Sequence, residues 1–188
     1  MSEPAAPPAP GPYRTVEVRW FLPGEVPAAV AAWFDALGPP VEEGVRTDRY
    51  LGGTGAELGL KVREGRVEAK QRTGGAGRVH GAPAAAWAKW LFPVEGDPAP
   101  PGWVEVRKRR RQRRVEAAGG ACAVELSRVE AGGAVWWSVC LEAAGPSADA
   151  RRAALAHAAA LWLDRDDAPA LRPEAAQGYP AWLAHVGA

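Results

Sequence analysis

The stretch Thr15-Val16-Glu17-Val18-Arg19-Trp20-Phe21-Leu22 (TVEVRWFL) alternates strictly. Val16, Val18, Trp20 and Leu22 fall on one side, and Thr15, Glu17, Arg19 and Phe21 on the other. A period of two marks a β-strand with one buried face. Here the second face carries charge. The same rhythm returns in Glu57–Glu64 (ELGLKVRE) and Arg66–Arg72 (RVEAKQR), divided by Glu64-Gly65 in the manner of a β-hairpin. Leu58, Leu60 and Val62 oppose Gly59, Lys61 and Arg63, while Val67 and Ala69 oppose Glu68, Lys70 and Arg72. It returns again in Trp103–Glu116 (WVEVRKRRRQRRVE), where Val104 and Val106 oppose Glu105, Arg107 and Arg109. A second hairpin joins Ala121–Val129 to Val135–Glu142 across Gly132-Gly133. With an even-numbered loop such as Ala131 to Ala134, Glu125 and Ser127 face the same way as Cys140 and Glu142.

Around these strands the pattern changes to helical spacing. Val26, Val30, Trp33, Phe34 and Leu37 place an amphipathic helix over Glu25–Leu37, ended by Gly38-Pro39-Pro40. Ala148–Leu163 is an Ala-rich helix with Leu155, Ala159 and Trp162 on one stripe, and Tyr179–Leu183 is a further short apolar segment. Asp48–Leu51 reads as a short strand. Trp87–Phe92 leaves strand and helical turn open, because short apolar runs are ambiguous. Gly74–Gly81 and Gly96–Gly102 read as glycine- and proline-rich connections. Strands outnumber helices, so the expected class is α+β.

With 188 residues, 47% of them hydrophobic, the chain can bury one sizeable core. We expect a disordered Pro/Ala-rich tail over residues 1–12 and one domain over 13–188. The 23 basic and 22 acidic residues leave a formal charge of +1, which gives no bulk reason for a nucleic-acid or anionic-membrane partner. Cys122 and Cys140 match neither a zinc pattern nor a disulfide framework, which suggests buried thiols in a reducing cytoplasm. No apolar run approaches the ~20 residues needed to cross a bilayer, and Met1–Pro12 lacks a signal pattern. His80, His157 and His185 have no metal-ligand spacing. Trp20, Trp33, Trp137 and Trp162 fall on apolar stripes and read as core. The basic run Arg107–Arg114 (RKRRRQRR) resembles a nucleic-acid patch. Alternation divides it, placing odd positions on the charged face and leaving Lys108, Arg110 and Arg114 outside, so nucleic acid is the weakest of the partner readings.

The charged sides together hold Glu17 and Arg19; Lys61 and Arg63; Glu68, Lys70 and Arg72; Glu105, Arg107 and Arg109; Glu125 and Ser127; and Glu142. The plain interpretation is a solvent-facing surface of Glu/Arg cross-strand pairs worth ~0.2–1 kcal/mol each. The sharper one is a site for a polyanion and a divalent metal, with Arg forks and Lys for phosphate oxygens and carboxylates for a hard cation.

In order along the chain these pieces resemble the CYTH family, the triphosphate tunnel metalloenzymes. Thr15-Val16-Glu17-Val18-Arg19 is similar to the family's opening E-x-E-x-K strand, and Asp48-Arg49-Tyr50 to its D-x-Y element. Leu60-Lys61-Val62-Arg63, Val67-Glu68-Ala69-Lys70 and Arg107-Lys108-Arg109 resemble its L-R-I-R, L-T-x-K and K-x-R strands. Leu126-Ser127-Arg128-Val129 and Cys140-Leu141-Glu142 look like its closing L-D-x-V and E-x-E elements. The likeness covers residues 13–143. It implies an antiparallel β-barrel or tunnel with helices outside and a triphosphate- or polyphosphate-bearing ligand within. By the same resemblance Arg19, Lys61, Arg63, Lys70, Arg107 and Arg109 would bind phosphate. Glu17 and Glu142 would be catalytic and would be left to hold Mg²⁺ or Mn²⁺, and Glu68, Glu105 and Glu125, read on the same charged face, could stand in for the missing ligands. The implied activity is metal-dependent phosphohydrolysis, and the alternative is a binding module without turnover. Thr15, Ser127 and Cys140 stand where the family has carboxylates, so phosphate binding should survive better than hydrolysis.

Overall fold

The computed structural model describes residues 11–94, 103–117 and 119–186. Most of the tail expected over residues 1–12, and the proline-rich connection at 96–102, lie outside the described residues. Eight strands are present: β1 (Tyr13–Pro23), β2 (Val41–Tyr50), β3 (Leu58–Arg63), β4 (Arg66–Val79), β5 (Ala82–Pro93), β6 (Val104–Ala117), β7 (Gly120–Ala131) and β8 (Ala134–Ala144). They close into a barrel in the order β1-β5-β4-β3-β2-β6-β7-β8, with every pairing antiparallel. Closure leaves no unpaired sheet edge. Three helices, α1 (Ala28–Asp35), α2 (Ala148–Leu163) and α3 (Tyr179–Val186), complete the α+β architecture expected from the sequence.

Two-residue turns fix the registers. Glu64-Gly65, His80-Gly81 and Gly132-Gly133 each place both residues at positive φ, the conformation whose twist matches that of the flanking strands. Across Gly132-Gly133, Glu125 pairs with Cys140 and Ser127 with Ser138, so these side chains share a face as the even loop requires. Elsewhere the strands run further than the sequence suggests. Gly74–Gly81 is no connection: β4 continues to Val79, absorbing its glycines through two register shifts against β5. Trp87–Phe92 is part of β5. β2 starts at Val41, and its register shift between Glu43 and Arg46 hides the alternation.

The apolar faces of β1, β7 and β8 point outward against α1 and α2. Val18, Trp20, Val124, Leu126, Val139 and Leu141 there meet Trp33, Phe34, Leu155 and Trp162. The Trp33 indole donates to the Trp162 carbonyl at 3.0 Å, and Ser147 caps α2 by accepting from the Ala150 amide at 3.0 Å. A second apolar cluster lies at one end of the barrel, where Phe21, Tyr50, Val106 and Val129 meet Trp182 and Leu183 of α3. Trp182 stacks on Phe21 with ring centroids 4.4 Å apart, and Tyr179 stacks on Tyr50 at 5.3 Å. A backbone bond from the Gln177 amide to the Arg19 carbonyl, 2.8 Å, ties the entry to α3 onto β1. Thus α3 covers this mouth and gives the interior an apolar end. No helix among the described residues is long and apolar enough to cross a membrane.

Trp182 is fully buried. Replacing Trp182 with Ala should therefore cost about 3–5 kcal/mol in urea unfolding, and a loss under about 1 kcal/mol would show that α3 is not part of the cooperative fold.

Candidate functional site

Inside the barrel the charged side chains form two chains of ion pairs. Glu142, Lys70, Glu17, Arg19, Glu125 and Arg110 make the first. The Lys70 ammonium contacts Glu17 and lies 3.2 Å from Glu142. Arg19 bridges Glu17 at 3.3 Å and Glu125 at 3.1 Å while donating to the Ser138 hydroxyl at 3.0 Å. Arg110 closes on the other Glu125 oxygen at 2.7 Å. Thr15 donates its hydroxyl to Glu142 at 3.0 Å. Three cations here balance three carboxylates.

The second chain runs Arg63, Glu68, Lys61, Asp48, Lys108. Glu68 is held by Arg63 at 3.1 Å and Lys61 at 2.9 Å, and Asp48 by Lys108 at 2.7 Å and Lys61 at 3.6 Å. Arg46 approaches Asp48 to 3.5 Å. Lys108 also donates to the Tyr50 hydroxyl at 2.7 Å and sits over the Tyr179 ring at 4.1 Å. Four cations here face two carboxylates. Lys89 adds a further positive charge; among the described residues it forms no ion pair, and its ammonium lies 5.9 Å from the Tyr13 ring centroid. Among the described residues, eight basic side chains and four carboxylates line a cavity of about 210 Å³, and the buried Asp48 pairs with its lysines as a fifth carboxylate.

Burial and pairing set the charge states. Burial alone would raise the Asp48 carboxyl, but Lys108 and Lys61 outweigh it and hold it down at about 2. Burial likewise opposes the charge on Glu142, which Lys70 and Lys89 nevertheless hold well below the usual carboxylate range. Glu68 and Glu125 are also lowered against burial, by Lys61 and by Arg19 respectively. Asp48, Glu142, Glu68 and Glu125 are therefore ionised near neutrality. Lys61 goes the other way: burial and the neighbouring Lys108 lower its ammonium to about 8. Lys108 is lowered to about 8 chiefly by burial, against the pull of Asp48. Lys70 is raised, because Glu142 and Glu17 overcome the cost of its burial.

Eight of the ten residues expected from the sequence gather here: Glu17, Arg19, Lys61, Arg63, Glu68, Lys70, Glu125 and Glu142 line the cavity. Arg107 and Arg109 do not. Their side chains point outward, 57% and 62% exposed, and pair with Glu130 at 3.2 Å and Glu42 at 3.6 Å. Lys108 and Arg110 occupy the interior in their place. The reason is the apolar end made by α3, which draws Val106 inward and so sets the parity of β6. Asp48, Arg46, Lys89 and Tyr179 join the site unanticipated. For Asp48 and Tyr50 the D-x-Y spacing was the available signal; Arg46 is hidden by the β2 register shift, and Lys89 by a β5 run that is apolar on both faces.

The carboxylates assigned to Mg²⁺ or Mn²⁺ do not converge. Glu17 and Glu142 share the Lys70 ammonium, Glu125 is clamped between Arg19 and Arg110, and Glu68 belongs to the other chain of pairs. Among the described residues, no group of three or more His, Cys, Asp or Glu side chains is placed to hold a metal ion. The donor set fits a divalent ion poorly, since such an ion takes several oxygens at once. No known family model matches the sequence, and no curated protein matches it.

The two depressed lysines make stability depend on pH. Between about pH 8 and the ordinary lysine value near 10.5 the folded chain has released lysine protons that the unfolded chain still holds, so these two lysines contribute a rise of stability with pH in that window, opposed by the thiols of Cys122 and Cys140, which burial raises. Urea midpoints measured from pH 8 to about 9.5, below the tyrosine range, should therefore rise with pH in the wild type relative to Lys61→Met, which keeps both thiols. The same pH profile in both proteins would mean that Lys61 is not depressed.

Proposed function

We propose that this chain is a divergent CYTH-like protein whose barrel binds a triphosphate- or polyphosphate-bearing ligand. The observation that supports this reading is the excess, among the described residues, of eight bases over five carboxylates inside a closed barrel. A compact multivalent anion satisfies such an excess, and phosphate chains are matched by Arg forks and Lys point charges. The closed eight-stranded topology and the order of the family-like strands support the same reading.

The charge distribution indicates where the anion rests. Among the described residues the Glu142-to-Arg110 chain balances its charges, whereas Arg63, Lys61 and Lys89 lie outside it. Arg63 is the best placed for a direct contact because it lines the cavity and its only close interior partner is Glu68, which Lys61 also serves. Binding is favoured over phosphoryl transfer because Glu17 and Glu142 are engaged by Lys70 and no third carboxylate joins them.

Calorimetry with tripolyphosphate tests the proposal. Losing a charge-assisted contact of about 1.5–3 kcal/mol, Arg63→Ala should weaken binding roughly 10- to 100-fold, whereas Arg107→Ala should change it less than about twofold. Equal losses in both variants, or no binding by the wild type, would remove the interior site. Phosphate release from tripolyphosphate, ATP or thiamine triphosphate with Mg²⁺ or Mn²⁺, abolished by Glu17→Ala, would instead establish the hydrolase.

A further inference from the structure

We infer that Lys70 is a built-in counter-cation that occupies the place of a divalent metal between Glu17 and Glu142, so that the barrel takes its anion without one. The part concerning the anion rests on the oligophosphate reading above; the part concerning Lys70 stands on its own geometry.

Glu17 and Glu142 are directly paired residues of β1 and β8, and Lys70 reaches them from β4. Its ammonium contacts a Glu17 oxygen and lies 3.2 Å from a Glu142 oxygen, with the Trp87 ring 5.2 Å away. Thr15 donates a hydrogen bond to the Lys70-facing oxygen of Glu142, and Arg19 donates to the other oxygen of Glu17. Lys70, Thr15 and Arg19 thus present only hydrogen-bond donors to oxygens that a metal would need as lone-pair ligands. Thr15, Ser127 and Cys140, which stand at the remaining carboxylate positions of the family resemblance, carry no carboxylate, and Glu125 is held between Arg19 and Arg110. A single ammonium neutralises half the charge of the pair, Arg19 contributes to the rest, and no aquated ion need be stripped of water.

The consequence concerns ligand class. A metal-free oligophosphate brings its full negative charge to the surplus cations, while a Mg²⁺-complexed triphosphate would carry a dication towards Lys70 and its neighbours. The barrel should therefore prefer the uncomplexed phosphate chain.

Two titrations separate these parts. Mn²⁺ alone, followed by the electron paramagnetic resonance signal of the free ion, should bind the wild type weakly and bind Lys70→Ala at least about tenfold tighter, with the gain lost in Lys70→Ala/Glu142→Gln. Lys70→Gln, which keeps an uncharged polar side chain only one atom shorter, should show the same direction should the alanine variant fold poorly. Tight Mn²⁺ binding by the wild type, or no gain in a folded Lys70 variant, would overturn the inference whatever the anion does. Separately, tripolyphosphate affinity of the wild type should remain within about threefold when divalent ions are removed with EDTA. Its loss in EDTA would overturn metal independence, while absence of tripolyphosphate binding under every condition, with the Mn²⁺ result as expected, would overturn the oligophosphate reading and leave the role of Lys70 intact.

Discussion

Closing eight strands turns a charged sheet face inward, and every carboxylate on that face must then find a cation or bear an uncompensated burial cost of several kcal/mol. Glu17, Glu68, Glu125 and Asp48 are all nearly excluded from solvent, and each is held by at least two bases. The rest of the interior follows from this constraint. Pairing fixes side-chain directions on seven strands at once, so that the cavity wall is held by ionic contacts much as the outer face is held by packing of tryptophan and leucine against α1 and α2. Among the described residues the bases in the cavity outnumber the carboxylates, and each carboxylate is paired. The surplus is the chemical character of the cavity.

The distribution of that surplus matters more than its size. Along the chain of pairs from Glu142 to Arg110 the charges alternate, and the side chains most reminiscent of a metal site are engaged with Lys70 and Arg19. Across the cavity, Lys61 and Lys108 share Asp48; burial and the charge of Lys108 depress Lys61, while burial and the charges of Arg46 and Arg19 depress Lys108. An anion brought to that wall would relieve this repulsion. At the far end α3 brings Tyr179 against Lys108 and Tyr50, so the cationic wall merges into an aromatic surface.

Much of this was legible in the sequence because alternation reports directly on which side chains share a face. The hairpins about Glu64-Gly65 and Gly132-Gly133, the strand containing Glu17 and Arg19, and α2 all follow from local pattern. The error on β6 has a physical origin that no local pattern contains. Val104 and Val106 look like residues of the outer core, yet that side of β6 is not where the helices pack; the apolar surface they seek is inside, supplied by α3 from far along the chain. With the parity reversed, Lys108 and Arg110 replace Arg107 and Arg109. Arg46 and Lys89 were missed for related reasons, one behind a register shift and the other in a strand apolar on both faces. The pairing of Lys70 with both Glu17 and Glu142 depends on three strands meeting and could not be read from any one of them.

The central claim is that a metal-free oligophosphate rests against the cationic wall while Lys70 stays between its two carboxylates. A crystal structure grown with tripolyphosphate in the absence of divalent cations tests this most directly. The account predicts phosphate density within hydrogen-bond distance of Arg63 and Lys61, with the Lys70 ammonium still on Glu17 and Glu142. Density confined to the outer face at Arg107 and Arg109, or a cavity without anion at saturating ligand, would contradict it.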